Sequence, residues 1–451
     1  MPKDFRPHVV IVGGGFGGLN VAQALKSVPV RITLIDKHNH HTFQPLLYQV
    51  ATAGLSAPDI AAPIRQIFKN QKNVTVLLGE VTDVRARDRE ICLDSGGQLS
   101  YDYLILAVGA VNHWFGNDWE KHAPGLKTLS DALEIRRRIL TAFEAAERES
   151  DPNARESWLT FAIIGAGPTG VELAGSVIDI AQKTLARDFR HFDPKQTRVI
   201  LVEGAERVLP PYPETLSAKA RKQLEDLGVE VRTGTLVTHL DEYGVTLKDG
   251  TQIATRTVLW GAGVKANPLL KTLDVALGKG GRAVVSGDLS LPAHPEIFVI
   301  GDAAQAQLTP GQDDGRFVPG VAPAAMQMGT YVARVIKQRQ KGAAVQPFKY
   351  VDKGSLATIG RNRAVADFGF LHLSGFVAWF LWMAVHVIFL VGFRNRVAVL
   401  FEWAWAYISF GRSARVILSR PRELPAIRDA ADATLEPTPQ DAPTPPVREV
   451  S

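Results

Sequence analysis

Residues 8–26 read HVVIVGGGFGGLNVAQALK. A short run rich in β-branched residues stops at Val12. Gly13, Gly15 and Gly18 then fall at the spacing G-x-G-x-x-G, and a helical pattern begins at once. Each glycine has its own task. The first permits a tight turn, and the second lets backbone approach a pyrophosphate with no Cβ in the way. The third lets the helix pack closely on the strand, while the helix N-terminus offers N–H groups and positive dipole to phosphate. A second strand over residues 30–35 runs into Asp36, about twenty residues on, where a carboxylate can take the hydroxyls of an adenosine ribose. The glycines alone would mark only a turn; strand, glycines, helix, strand and acid in that order predict a dinucleotide site.

The same grammar recurs. Residues 158–176, WLTFAIIGAGPTGVELAGS, supply a strand, then Gly165, Gly167 and Gly170, then a helix. The next strand, 198–202, ends at Glu203, delayed by an insertion rich in charge and aromatics over 181–197. A carboxylate at that strand end favours NAD over NADP because it repels a 2′-phosphate, although Arg207 close by weakens the preference. A chain with two such sites can hold FAD and a nicotinamide nucleotide and pass a hydride between them. Two further strands fit the flavin half: 102–110, closing on Gly109-Ala110, and 296–304, closing on Gly301-Asp302-Ala303-Ala304. Asp302 is placed to accept hydrogen bonds from a ribityl chain, to cap a helix, or to do both.

Composition narrows the class. At 451 residues the chain implies two or three domains. Net charge is +5 with no dense Lys/Arg tract among aromatics, which argues against nucleic acid. The single cysteine, Cys92, precludes an intramolecular disulfide or dithiol pair. MPKDFR runs straight into a strand, leaving no room for a secretory signal. His38, His40 and His41 are followed by no matching acids, so packing and hydrogen bonding are expected of them rather than metal ligation.

These features, with NHHTFQPLLYQVATAGLS (39–56), VLWGAGVKANP (258–268), PGVAPAAMQMG (319–329) and the closing GFRNR (392–396), make the chain resemble the type II, non-proton-pumping NADH:quinone oxidoreductases. Disulfide reductases and sulfide:quinone oxidoreductases of similar architecture need cysteine pairs that this chain lacks. The resemblance implies an α/β fold of two Rossmann-like domains, for FAD and NADH, plus a C-terminal helical membrane-anchoring segment. Around FAD it places Gly13, Gly15, Phe16, Gly17, Gly18, Asp36, Lys37, Thr42, Gln44, Val81, Gly109 and Asp302. Around NADH it places Gly165, Gly167, Thr169, Gly170, Glu203, Gly261, Ala262 and Gly263.

Two residues are expected to carry chemistry. The resemblance sets Glu172 beside the flavin ring, in the first turn of the second dinucleotide helix. Partial burial there would raise its pKa and favour a proton-relaying carboxyl; the plainer role is helix-dipole stabilisation. Gln327 resembles the family's quinone-pocket glutamine, whose neutral amide can bond a quinone carbonyl. The usual pattern has another glutamine four residues earlier, where this chain has Pro323, so one donor is lost. Met326, Ala324, Ala325 and Met328 are candidates for a greasy channel or for plain helix packing.

The expected organisation is a flavin half over 1–115 and 285–370, a helical link over 116–154, an NADH half over 155–284, anchor helices over 371–420 and a disordered tail over 421–451. The stretch FVAWFLWMAVHVIFLVGF, 376–393, would span about 26 Å as one helix, marginal against a hydrocarbon core of about 30 Å. A monotopic anchor fits better. Its protein-facing seam would be Trp379, Trp382, His386, Phe389 and Phe393, with Trp403, Trp405 and Tyr407 at the headgroups. Arg394, Arg396, Arg412 and Arg415 would meet anionic lipid. The function expected is NADH oxidation with reduction of a membrane quinone, by a homodimer lying on the cytoplasmic face. The alternatives are a reductase for a soluble acceptor or a signalling flavoprotein.

Overall fold

The computed structural model describes residues 5–312, 314–409, 411, 414–417 and 424–425. The expected tail over 421–451 therefore lies outside the described residues, apart from 424–425.

The chain opens with β1 (His8–Val12), α1 (Phe16–Ala24) and β2 (Arg31–Asp36). All five residues of β1 are buried, as a parallel strand covered on both faces requires. A Cβ on Gly18 would lie 1.9 Å from the carbonyl oxygen of Gly13, so α1 can seat on β1 only over a bare glycine. The short helix α2 (Leu47–Ala51) follows, then β3 (Val74–Leu78) beside β2 and β4 (Tyr103–Leu106) beside β1. A capping box of Thr128 and Asp131 starts the long helix α3 (Leu129–Arg148).

The second sheet repeats the plan. It contains β5 (Thr160–Ile164), α4 (Pro168–Asp179), β6 (Arg198–Val202), α5 (Glu214–Glu225), β7 (Val229–Arg232) and β8 (Thr257–Trp260), in the parallel order β7-β6-β5-β8. The helix-seating constraint repeats too: a Cβ on Gly170 would lie 1.8 Å from the Gly165 oxygen. The insertion after α4 makes a π-helical turn, Ile180–Thr184, and packs Phe189 near Phe143 of α3.

The chain then rejoins the first sheet. β9 (Ser290–Leu291) pairs antiparallel with β10 (His294–Val299), and β10 lies parallel to β4, giving the order β9-β10-β4-β1-β2-β3. Next, α6 (Ala322–Arg339) crosses α1 so closely that a Cβ on Gly329 would lie 2.5 Å from the Gly17 oxygen. An antiparallel sheet of β11 (Ser355–Gly360), β12 (Arg363–Asp367) and β13 (His372–Ser374) packs on α4, where a Cβ on Gly175 would strike the Ile359 oxygen at 1.6 Å.

Two helices close the described chain, α7 (Phe376–Phe389) and α8 (Phe393–Ser409). The oily stretch is thus not one helix to Phe393. It stops at Phe389, Leu390 turns extended, and Gly392 takes φ +91°. Fourteen residues reach about 21 Å, and among the described residues no helix is long and apolar enough to cross a membrane. The seam also differs from expectation, and its last member, the Phe393 side chain, lies outside what the structure describes. Trp382 and Leu390 are buried, but Phe389 is 45% exposed, because the turn at Leu390 rotates the chain inward after it. Phe376, Val377, Phe380 and Ile388 of α7 and Leu400, Phe401, Trp405 and Ile408 of α8 stand exposed. The arginines divide: Arg394 is exposed, Arg396 donates to the Leu390 carbonyl (2.8 Å), and Arg415 pairs with Asp188 of the insertion. Arg415 therefore faces protein rather than lipid. Arg412 lies outside the described residues.

Candidate active site

The two glycine turns are built alike. Asp36 Oδ2 accepts from the Gly14 N–H (2.6 Å) and Oδ1 from the His38 N–H (2.7 Å). Glu203 Oε2 accepts from the Ala166 N–H (2.6 Å) and Oε1 from the Ala205 N–H (2.8 Å). Each acid thus braces its own turn and retains lone pairs for a ribose hydroxyl. The middle glycines, Gly15 and Gly167, face open space, with no atom within 4 Å of a built Cβ. They sit at the N-caps of α1 and α4, which no side chain caps. Open glycine, free N–H groups and helix dipole together fit a pyrophosphate in each turn.

The other expected nucleotide residues are distributed around these turns. Phe16 and Gly17 begin α1, and the Phe16 ring meets His41 edge-on (4.9 Å). His41 is buried and donates from Nδ1 to the Gly14 carbonyl (3.0 Å); burial lowers its pKa, leaving the ring neutral. Lys37 pairs with Glu80 (3.5 Å), and Val81 is buried beside it in sequence. Thr42 pairs with Ala61 in a two-stranded ribbon, and Gln44 reaches the Lys127 carbonyl (3.5 Å). Gly109 takes φ +68° and faces open space. In the second half, Thr169 is the second residue of α4, two past the N-cap Gly167, while Ala262 passes 2.5 Å from a Cβ built on Gly165, so Gly261–Gly263 wall the turn. Arg207 is held by Glu214 (3.2 Å) and the Pro210 carbonyl (3.0 Å).

Asp302 lies inside the one-turn helix Gly301–Ala303, not at its cap position, which Ile300 occupies. Its partner is Lys127 (3.5 Å), each side chain about one-fifth exposed. Lys127 comes from the link before α3, and the sequence offered no sign of this pairing across 175 positions.

Glu172 is the fifth residue of α4, because the helix begins at Pro168, and so falls just past the first turn rather than within it. The dipole role weakens accordingly. Part of the side chain is accessible, yet protein surrounds the carboxyl densely. Desolvation pushes its pKa well above the ordinary range, against a smaller opposing hydrogen bond from the Thr358 backbone. The contact at Gly175 explains that bond: a glycine one turn along α4 lets β11 come close enough to bring Thr358 to Glu172.

Gln327 is placed differently from expectation. Its Nε2 donates to the Val351 carbonyl (2.9 Å) and its Oε1 accepts from the Val351 N–H (3.0 Å). The amide therefore staples the following linker to α6. Pro323 sits in the first turn of that helix, where no N–H is needed. Ala324, Ala325 and Met328 are packing residues, with Met328 Sδ accepting from the Gly301 N–H (3.2 Å), while Met326 remains partly accessible.

A cavity of about 150 Å3, which no motif announces, lies between α2, α4, β11 and the two C-terminal helices. Its walls include Tyr48, Gln49, Ser176, Trp382, Met383 and Trp403. Trp403 Nε1 donates to Gln49 Oε1 (2.7 Å), and Gln49 Nε2 donates to the Tyr48 hydroxyl oxygen (2.8 Å). Trp382 stacks on His386 at 4.2 Å and lies 5.6 Å from Trp403. His386 donates from Nδ1 to the Trp382 carbonyl (2.6 Å), and burial pulls its pKa down to about 4. Phe43 then links His386 (6.2 Å) to Phe16 (5.8 Å), so aromatic rings run from the C-terminal helix to the first glycine turn. The five walling elements come from four separate stretches of the chain, and no local pattern shows that they meet.

Comparison with known proteins gives the family and the fold. A family model described as pyridine nucleotide-disulphide oxidoreductase matches residues 7–329, and one described as the NDH2 C-terminal domain matches 353–413. A type II NADH:quinone oxidoreductase of Mycobacterium tuberculosis is 46% identical over 432 residues, covering 92% of this chain and 90% of the relative. One from Staphylococcus aureus is 32% identical over 375 residues, covering 81% and 90%. Among solved structures, NDH2 from Plasmodium falciparum in complex with NADH shares the fold at TM-score 0.83 and 22% identity, covering 92% of this chain and all of that one. The sulfide:quinone oxidoreductase of Aquifex aeolicus shares it at TM-score 0.70 and 16% identity, covering 89% and 95%.

Proposed function

The chain belongs to the type II NADH:quinone oxidoreductases, enzymes that oxidise NADH and reduce a quinone, and from that premise we propose how its residues divide the work. FAD, held without a covalent bond, supplies the two-electron carrier chemistry between nicotinamide and quinone. Gly13–Gly18 and Asp36 take its adenosine diphosphate portion, and Asp302, steadied by Lys127, takes the ribityl chain. Gly165–Gly170 and Glu203 hold NADH. Arg207 is drawn toward Glu214, which supports a preference for NADH over NADPH. Turnover is not coupled to ion pumping.

Quinone reduction takes up two protons, and Glu172 is the residue suited to hold one. Its desolvated carboxyl stays protonated at pH values where an ordinary glutamate has ionised. The observation that carries the reading is a shared helix. One end of α4 forms the NADH turn and carries Glu172, while its later residues Gly175, Ser176 and Asp179 line the cavity under α7 and α8. NADH is dissolved in water and quinone in lipid, so one rigid element joins the two sides. The exposed apolar faces of α7 and α8, with Arg394, rest on an anionic lipid surface on the cytoplasmic side, and a second copy of the chain pairs alongside. Pro323, Met326 and Gln327 lie toward the quinone, with Gln327 as a positioning residue through Val351.

Steady-state kinetics with NADH and NADPH against a quinone series tests this. NADH should be preferred and a lipophilic quinone should be reduced. Purified protein without a flavin spectrum, or one reducing only a soluble protein acceptor, would refute it.

A further inference from the structure

Phe115 combines an apolar ring that is 62% exposed with a backbone at φ +53°. A bulky residue in the left-handed region is an outlier that persists only where its surroundings impose it, and such outliers gather at working sites. Here the surroundings do impose it. The Trp260 indole N–H donates to the His113 carbonyl (3.0 Å), and the His113 N–H donates to the Gly263 carbonyl (3.1 Å). The Trp114 indole N–H donates to the Ala123 carbonyl (3.0 Å). This frame carries the Phe115 ring out over Gly263, where a built Cβ would lie 2.8 Å from Phe115 Cζ. Gly263 must stay bare for the ring to rest there.

The sheet says which part of a ligand that ring would meet. In the order β7-β6-β5-β8 the chain leaves β5 for β6 on one side and sets β8 on the other. The ligand crevice of such a sheet opens outside the carboxyl ends of the two strands at the switch, here β5 and β8. Gly165 directly follows β5, and Gly261–Gly263 directly follow β8. Glu203, suited to the adenosine ribose, follows β6 on the opposite side of β5. With adenosine toward Glu203 and pyrophosphate in the turn, the nicotinamide half runs toward the end of β8 and the rim where Phe115 stands. The loop continues the ribbon that pairs 110–112 with 264–266, the crossing between the two halves of the molecule. We propose that the Phe115 ring packs on the nicotinamide half of bound NADH and orients it, a flat apolar contact that the glycine turn does not supply. This inference rests on the reading above that the second turn holds NADH.

Phe115→Ala and Phe115→Tyr are compared with the parent as detergent-purified flavoenzymes. Flavin bleaching at increasing NADH, in single-turnover mixing, gives the half-saturating concentration. ADP-ribose, which keeps the adenosine and pyrophosphate but lacks nicotinamide, is titrated as an inhibitor. In the alanine variant half-saturation by NADH should need about tenfold more, the scale of one aromatic packing contact. Its ADP-ribose inhibition constant should stay within twofold of the parent's. Tyrosine should restore NADH to within threefold. An alanine effect on NADH below threefold overturns the proposal, and is the outcome expected if the ring meets a second copy of the chain instead. Equal weakening of NADH and ADP-ribose would mean that the loop only supports the turn, which also overturns it. A tyrosine variant as weak as alanine does the same. If the alanine variant loses flavin, Phe115→Leu takes its place with the same criteria. Failure of the underlying reading looks different: NADH would then not bleach the flavin of the parent enzyme.

Discussion

The two nucleotide turns are near copies, yet what covers them is not. Asp36 and Glu203 brace their turns through the same pair of backbone N–H contacts, and Gly18 and Gly170 permit the same helix seating. Over the first turn lie α6, the Asp302–Lys127 pair and an aromatic run leading to α7. Over the second, α4 carries a desolvated glutamate toward β11. Repetition therefore accounts for binding two nucleotides, and the unrepeated covers account for giving them different tasks.

The most severe way to break the comparison is at its shared glycines. Gly170→Val should leave a yellow flavoprotein whose affinity for NADH falls at least a hundredfold, because the side chain displaces α4 from its turn. Gly18→Val should yield protein without bound flavin. Absorbance at the flavin bands and NADH titration distinguish the two, and equal flavin loss in both would mean the halves fold as one unit.

Removing residues 371–451 tests the cover of the first turn. It strips Trp382 from Tyr48 and His386 from Phe43, so the flavin-to-protein ratio should fall by more than half even where the protein stays in solution. Full flavin retention would make the C-terminal helices a separable anchor.

Glu172→Gln tests the cover of the second turn. Quinone turnover should slow by about a hundredfold, within the range of general acid catalysis, with a smaller effect on NADH-driven flavin bleaching in single-turnover mixing. Stability should move the other way. The native state holds this proton more tightly than the unfolded chain, whose carboxyl titrates near 4.5, so wild-type stability declines as pH rises above that value. The variant should melt higher than wild type at pH 8 and equally at pH 4.

His386 gives the smallest effect. Its native pKa of about 4 lies below the unfolded value of 6.5. Its neutral burial carries no penalty above pH 6.5, and stability is lost as pH falls from there toward 4, by at most about 3 kcal/mol. His386→Phe should flatten that acid limb in denaturant unfolding curves followed from pH 7 to 4.

Much of the first level was legible in the residues. Each G-x-G-x-x-G run with its strand-end acid predicted a turn that the backbone then formed, because the two turns meet their acids across only 22 and 37 positions respectively. The family followed from motifs spread along the chain. Chemistry-bearing details were less legible. Gln327 reads as a free amide until Val351 is seen beside it, and Asp302 as a cap until the helix start is known. The oily stretch reads as one helix because nothing in its composition marks the break at Leu390 apart from Gly392.

By itself the sequence determined that this chain carries two dinucleotide-type glycine turns and, over 376–393, a strongly apolar stretch, since local glycine sterics, strand periodicity and composition suffice for that. Only the tertiary structure decided that the Glu172 carboxyl is desolvated, that Arg415 turns to Asp188 and that the Trp382 indole is buried with its donor unmatched. Desolvation and hydrogen-bond satisfaction depend on what the distant chain brings to a side chain. No local pattern encodes that neighbourhood.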